Sequence, residues 1–310
     1  MNKKPTAKEL SPKKRDARSR LICAALLLVC FFAAVLALDA YRCRSDFIIA
    51  EYEIPSEKIT APVRIAMLSD LHESSFGPGN SRLIEAVEEL SPDVIVCVGD
   101  MVSRTAKEEE LHISRELIES LSRIAPTYLS LGNHDEEYIR RHGIGLLELY
   151  DQAGAVILDS AFADITPAGQ SIRIGGVYGY CFPYGRSEEV FNASSTGRFF
   201  KNFEDTSSFK LLLCHKPTDY YLESESDYFV DHDVDLILSG HTHGGLWRIP
   251  FLGCPYLPQQ GFFPKLDHGM KRVGSTEMLI GAGLGHGSML FRMNDPCELV
   301  SITLVPAQNG

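Results

Sequence analysis

No CxxC pair occurs anywhere in the 310 residues, and the eight cysteines are scattered. Cys23 and Cys30 lie in an apolar N-terminal run, while Cys97 and Cys214 sit inside apolar segments that read as buried strands. They read as small core hydrophobes, which disfavours a disulfide framework or a zinc ribbon. Pro/Gly-rich tracts, low-complexity segments and internal repeats are also missing. At 45% hydrophobic and 23% charged residues the composition is that of a globular protein, so disorder is not the expectation. Positive charge is short over most of the chain. The formal net charge of −11 splits into +6 over residues 1–20, where eight Lys/Arg face Glu9 and Asp16, and −17 over the remainder. A body that acidic repels polyanions, which disfavours nucleic acid as a partner.

What is present begins with LICAALLLVCFFAAVLAL, Leu21 to Leu38, directly after the basic stretch KKRDARSR. Eighteen helical residues rise roughly 27 Å, close to a hydrocarbon core of about 30 Å, so the run reads as a single transmembrane anchor. A cleaved signal peptide, with Val35-Leu36-Ala37 as its small-residue site, is the competing reading. The basic flank keeps the N-terminus cytoplasmic and puts the rest of the chain on the outer face of the cell membrane. No second apolar run of that length follows. The expected division is a basic cytoplasmic tail over 1–20, an anchor over 21–40, a polar linker over 41–60 and one α/β domain over 61–310.

Within that domain short apolar runs alternate with charged, helix-period stretches. RIAML (64–68), VIVCV (94–98), TYLSL (127–131), KLLLC (210–214) and DLILS (235–239) predict buried strands. SRLIEAVEEL (81–90) and LHISRELIESLSRI (111–124) predict amphipathic helices that cover a sheet.

Each strand run ends in residues suited to chemistry. Ser69-Asp70-Leu71-His72 follows the first, and a spacing of two puts Asp70 and His72 on one face of an extended strand end. Alone this triplet is weak. Gly99-Asp100 follows the second, with a carboxylate able to bridge two cations, although an isolated Asp there reads equally as a helix cap. Gly132-Asn133-His134-Asp135 follows the third and is far more specific. Asn133 offers a neutral amide oxygen to a divalent ion, and Asp135 is placed to orient the His134 ring. His215 follows the fourth run, and Gly240-His241-Thr242-His243 the fifth. Seven ligands at the carboxyl ends of strands exceed the three or four that one zinc site needs, which points to two divalent ions, with Mn, Zn and Fe all suited to mixed N/O donors.

In this order the motifs resemble the calcineurin-like metallophosphoesterases: D-x-H at Asp70 to His72, G-D at Gly99-Asp100, G-N-H-D at Gly132 to Asp135, a lone His at His215 and G-H-x-H at Gly240 to His243. GHTHGGLWRIPFLG (240–253), QGFFPK (260–265) and the tail FRMNDPCELVSITL are similar to the bacterial membrane-associated, YkuE-like branch. The chain departs from that branch at GVYGYCFPYGR (176–186), where a short acidic element is usual. The resemblance implies an α/β fold, a four-layer α/β/β/α sandwich of two mixed sheets, behind the N-terminal transmembrane helix. It also implies one ion on Asp70, His72, Asp100 and His243, and another on Asp100, Asn133, His215 and His241, with Asp100 as the bridge.

The reaction expected of such a site is in-line attack on phosphorus by a hydroxide shared between the ions, with His134 protonating the leaving alkoxide or stabilising its charge. The substrate would be a phosphomonoester, phosphodiester or pyrophosphate, as a small molecule or a lipid-linked or nucleotide-sugar compound. No obligate protein partner is expected. The competing function is a non-catalytic, metal-loaded binding module on the same fold. Among weaker signals, Asn133 and Arg248 are candidate substrate contacts, and Trp247 lines up beside Arg248. Aromatic and basic residues from Tyr178 to Phe203 read either as a cap over a base or acyl chain or as packed core. His112, His142, His232, His268 and His286 match no motif.

Overall fold

The computed structural model describes residues 12–178, 188–218, 232–258, 260–274, 276–287 and 292–307. In chain order the elements of the first half are α1 (Pro12–Ser45), β1 (Phe47–Ser56), β2 (Val63–Leu68), α2 (Ser81–Leu90), β3 (Val94–Val98), α3 (Leu111–Ile124), β4 (Thr127–Ser130), α4 (Asn133–His142), α5 (Gly145–Gln152) and β5 (Ala155–Ile157). The second half adds β6 (Ala161–Ile165), β7 (Ile172–Val177), α6 (Glu188–Ala193), α7 (Ser195–Phe203), β8 (Phe209–Cys214), β9 (Leu236–Ser239), β10 (Tyr256–Leu257), β11 (Gly261–Phe262), β12 (Gly269–Val273), β13 (Thr276–Ile280) and β14 (Cys297–Pro306).

Side chains alternate across a strand, and that period of two decides the layers. In β2 and β3, Ile65, Met67, Val94, Val96 and Val98 face one core, while Ala66, Leu68, Ile95 and Cys97 face another. Leu211 and Leu213 of β8 and Leu236 and Leu238 of β9 join the first group, which fills the space between the two sheets. Leu83 and Val87 of α2, Leu117 and Leu121 of α3 and Leu146 and Tyr150 of α5 close the outer face of the first sheet. Phe199, Phe200 and Phe203 of α7 pack with Leu212, Ile237 and Met278 on the outer face of the second. Four layers result, as the resemblance implies.

Both sheets are mixed. The first runs β1-β14-β2-β3-β4-β5, and only the β14/β2 pair is antiparallel. The second runs β12-β13-β9-β8-β7-β6, with antiparallel pairs at its two edges. β2, β3, β4, β8 and β9 are therefore neighbours in two parallel sets, so their carboxyl ends emerge together.

The stretch 41–60 differs from the expected linker. Helix α1 continues to Ser45, and after one residue the chain enters β1, whose ten residues pair in parallel with β14 from Phe47↔Cys297 to Ser56↔Pro306. Its alternating, half-exposed pattern is that of an edge strand. The helix is also fastened from the side: Asn294 N–H donates to Asp39 Oδ2 at 2.7 Å, and Cys297 Sγ–H to the Cys43 carbonyl at 3.4 Å. Residues 19–45 form one helix long and apolar enough to cross a membrane, and its apolar side chains are exposed.

Candidate metal centre

At the carboxyl ends of the parallel strands the backbone turns sharply, and the turning residues are the candidate ligands. Asp70, His72, Asp100, His241 and His243 all have positive φ, between 45° and 69°. Such left-handed conformations cost a non-glycine residue about 1 kcal/mol or more, and they persist where surrounding structure enforces them, often at functional sites. Two glycines make the turns fit. A Cβ on Gly132 would lie 2.1 Å from Asp100 Oδ1, and one on Gly240 would lie 2.3 Å from Asp70 Oδ2.

The two carboxylates sit at the centre, and each is anchored on one side by backbone. Asp100 Oδ1 accepts the His134 N–H at 2.7 Å, at the start of α4, where the helix dipole favours an anion. Its Oδ2 lies 3.1 Å from His215 Nε2 and 3.7 Å from His72 Nε2. The Asp70 carboxylate accepts the His241 N–H, at 3.1 Å to Oδ1 and 3.0 Å to Oδ2. Asp70 Oδ1 lies 3.5 Å from His243 Nε2, 3.9 Å from His215 Nε2 and 4.0 Å from His72 Nε2.

The imidazoles are turned by their other nitrogens. His215 Nδ1–H donates to the Val98 carbonyl at 2.7 Å, so Nε2 faces the carboxylates. His243 Nδ1 stands 3.3 Å from the Gly285 carbonyl, and His72 Nδ1 3.4 Å from Ser103 Oγ. The buried atoms His72 Nε2, His215 Nε2 and Asn133 Oδ1 have no hydrogen-bond partner. Buried polar atoms are ordinarily satisfied, so several lone pairs left open around one point fit a cation in that place. Three sets of donor atoms lie within 4.8 Å of one another: Asp70, His72 and His243; Asp100, His215 and His241; and His72, Asp100 and His134.

Charge in the cluster is consistent with this use. Burial lowers the pKa of His72, His241 and His243 to about 3, which keeps each ring neutral with a lone pair free for coordination. Burial would lower His215 as well, but the Asp100 and Asp70 carboxylates outweigh it and raise it to about 10. Burial pushes Asp100 up, yet His215 beside it prevails and holds it below the usual carboxylate range. The carboxylates thus demand a positive charge, which a divalent ion supplies in competition with a proton.

The structure brings six of the seven expected ligands into these sets, with His134 in the third; Asn133, next to His134 in the chain, has its amide oxygen buried without a hydrogen-bond partner. The His134 ring packs edge-on against His72 at 4.7 Å, and its Nδ1 accepts the Arg104 N–H at 3.2 Å. The neutral ring therefore carries its proton on Nε2.

Asp135 is a correction. Its carboxylate does not orient His134. Oδ2 accepts Asp100 N–H at 2.7 Å and Gly132 N–H at 2.9 Å, and Oδ1 accepts Val102 N–H at 3.2 Å. Fully buried, it ties the Gly-Asp turn to the start of α4.

Arg248 is likewise committed inward. Its Nη1 donates to the Gly244 carbonyl at 2.7 Å and pairs with Asp267 at 3.0 Å, so it fastens the loop after His243. Of the aromatic segment, Phe199, Phe200 and Phe203 are core, whereas Tyr180, Phe182, Tyr184 and Arg186 lie outside the described residues. His232 stacks on Phe200, and His268 bonds Glu298. Sequence reasoning missed Arg292. This fully buried guanidinium donates to the carbonyls of His243, Ala282, Gly283 and Gly285 and pairs with Asp295 at 3.2 Å. An arginine in FRMND carries no local signal of that role. A cavity of about 1070 Å³ is lined by Arg104, whose N–H holds His134, and by Lys107, Arg115, Tyr138 and Leu146, with none of the candidate ligands on its wall.

Comparison with known proteins agrees with this geometry. The calcineurin-like phosphoesterase family model matches residues 63–245. An uncharacterised metallophosphoesterase of Campylobacter jejuni is 30% identical over 82% of this chain and 62% of its own length. Phosphodiesterase YaeI of Escherichia coli is 28% identical over 79% of this chain and 83% of its own. A zebrafish transmembrane protein with a metallophosphoesterase domain is 27% identical over 84% and 57%. The chain thus spans about 60% of the length of two of these relatives.

Proposed function

The chain belongs to the calcineurin-like phosphoesterase family, and from that premise we propose that it is a membrane-anchored phosphoester hydrolase with two divalent ions. Asp70, His72, Asp100 and His243 would hold one ion, and Asp100, Asn133, His215 and His241 the other. The carrying observation is the division of the donor atoms: two of the compact sets split along these lines, and Asp100 Oδ2 lies within reach of imidazoles from both. Mn, Zn and Fe suit the mixed N/O donors. Ions of this kind lower the pKa of a bound water from 15.7 toward about 7 and neutralise phosphoryl oxygens.

The protein's own groups supply the rest. His134 would donate its Nε2–H as a hydrogen bond that stabilises the charge on a leaving alkoxide, while the Arg104 N–H holds the ring and fixes that tautomer. Asp135 keeps Asp100 and the start of α4 in register. Glycines 132 and 240 let both carboxylates approach the imidazoles. The acidic body disfavours a nucleic acid, leaving a compact phosphate ester, whether monoester, diester or pyrophosphate, free or carried on a lipid or nucleotide sugar. The apolar helix over 19–45, the +6 charge of residues 1–20 and the zebrafish relative's transmembrane description support an anchor with its N-terminus in the cytoplasm and the catalytic domain outside.

The test is full-length protein in detergent, assayed for bound metal and against monoesters, diesters, nucleoside-diphosphate sugars and lipid phosphates. Two ions per chain and hydrolysis that is lost to chelator and restored by Mn or Zn is the expected result. Two firmly bound ions with no turnover on any class would instead favour a metal-loaded binding module.

A further inference from the structure

Between the last candidate ligands and β12 the chain makes an excursion that the metal cluster does not use. It contains the β10/β11 hairpin, paired at Tyr256↔Phe262 and Leu257↔Gly261. Its apolar side chains point into solvent: Phe251 is 108% exposed, Phe262 79% and Trp247 51%, with Leu252 and Phe263 also largely open. A water-soluble surface seldom carries such a concentration of large apolar groups, and where it does they mark an interaction site.

The position of the loop says what it meets. Asn294 joins it to helix α1, donating its backbone N–H to Asp39 Oδ2 at 2.7 Å and its side-chain N–H to the Arg248 carbonyl at 3.0 Å. The Arg248 N–H in turn donates to the Met293 carbonyl at 3.1 Å, and Trp247 bridges to Met293. Asp39 is the first charged residue after the apolar run that ends at Leu38. Arg42 and Arg44 occupy the last turn of α1. The excursion therefore leaves the domain beside the point where the apolar helix enters it. Exposed Trp and Phe with basic residues at that level are what a headgroup–acyl boundary attracts.

We propose that the loop around Trp247, Phe251, Leu252, Phe262 and Phe263 seats in the lipid bilayer surface next to α1, as a second membrane contact. This rests on the anchored reading of the helix. Trp247 lies four residues after His243, and Arg248 holds the Gly244 carbonyl, so seating the loop also fixes the metal cluster relative to the bilayer.

Trp247 is the sole tryptophan, so the whole chain carries its own probe. Full-length protein is reconstituted in vesicles of phosphatidylcholine and phosphatidylglycerol whose acyl chains are brominated at shallow or deep positions. The expected result is blue-shifted emission that loses most of its intensity to shallow bromines, less to deep ones, and little to aqueous iodide. Phe251→Asp with Phe263→Asp should reverse that order while the circular dichroism spectrum stays unchanged. Iodide quenching as complete as for free tryptophan, in vesicles from which alkaline carbonate does not release the chain, would overturn the loop proposal and leave the anchor standing. Shielding from both quenchers would put a protein partner there instead, and also overturns it. Release by carbonate would bring down the anchored reading, and the loop proposal with it.

Discussion

Replacing Asp135 with Asn separates two roles that its motif position suggests equally well. The carboxylate accepts three backbone N–H groups, two at Oδ2 and one at Oδ1, and is fully buried. An amide fits the same space but can keep an oxygen at only one of those positions. In its better orientation it retains Asp100 and Gly132 and turns an N–H toward the Val102 N–H. One charge-assisted bond, worth about 1.5–3 kcal/mol, is then lost, and the other two fall to neutral strength, roughly half. The total is roughly 3–6 kcal/mol for the ionised carboxylate, and less where burial and the neighbouring Asp100, which raise the Asp135 pKa to about 7, leave it protonated, still a large share of a stability that is typically 5–15 kcal/mol. For a domain of this size that lowers the melting temperature by on the order of 10 °C. The assay is thermal unfolding in excess EDTA, so that metal linkage does not contribute, followed by metal titration of the folded protein. The buttressing role requires lower apo stability together with weaker metal binding. Melting within about 2 °C of the parent, with metal retained and turnover collapsed, would refute it and restore the direct action of Asp135 on His134.

His134→Ala should keep its full metal content and lose about two to three orders of magnitude in turnover, the span of a positioned hydrogen-bond donor to a developing oxyanion, measured by metal analysis beside steady-state kinetics. Gly132→Ala brings a Cβ to 2.1 Å from Asp100 Oδ1, so metal affinity should fall by about 10- to 100-fold in competition with a fluorescent chelator; unchanged affinity would mean the turn relaxes freely. Burial pushes the Glu298 pKa up, but its hydrogen bond from His268 at 2.8 Å prevails and holds it below the usual range. Its stabilisation is then full above the unfolded value of about 4.3 and is lost as pH falls through the folded value. Glu298→Gln should accordingly melt lower near neutral pH and show a flatter decline below about pH 4.3, by calorimetry across that range.

Five core strands and two helices were legible because their residues are buried by local pattern. The expected helix over 81–90 is α2, and the one over 111–124 is α3, since apolar residues at i, i+4 and i+7, Leu83, Val87 and Leu90 in one and Leu117, Leu121 and Ile124 in the other, can only form a stripe in a helix. The ends of the strands were legible for the same reason, and with them the candidate ligands. β1 was not. FIIAEYEIPS is half exposed, and its partner is β14, some 250 residues away, a pairing with no local signature. Arg292 was invisible because its partners are backbone carbonyls, which every residue possesses. Asp135 was seen but misassigned, because sequence adjacency to His134 says nothing of where an oxygen points once α4 begins.

The single residue between α1 and β1 leaves the domain no slack against that helix. Tension along the helix would enter the body in line with the ladder from Phe47↔Cys297 to Ser56↔Pro306, loading its rungs together in shear rather than peeling them one at a time. If α1 is seated in a membrane as proposed, a domain hung this way would neither swing nor reach, and its substrate would have to drift to it.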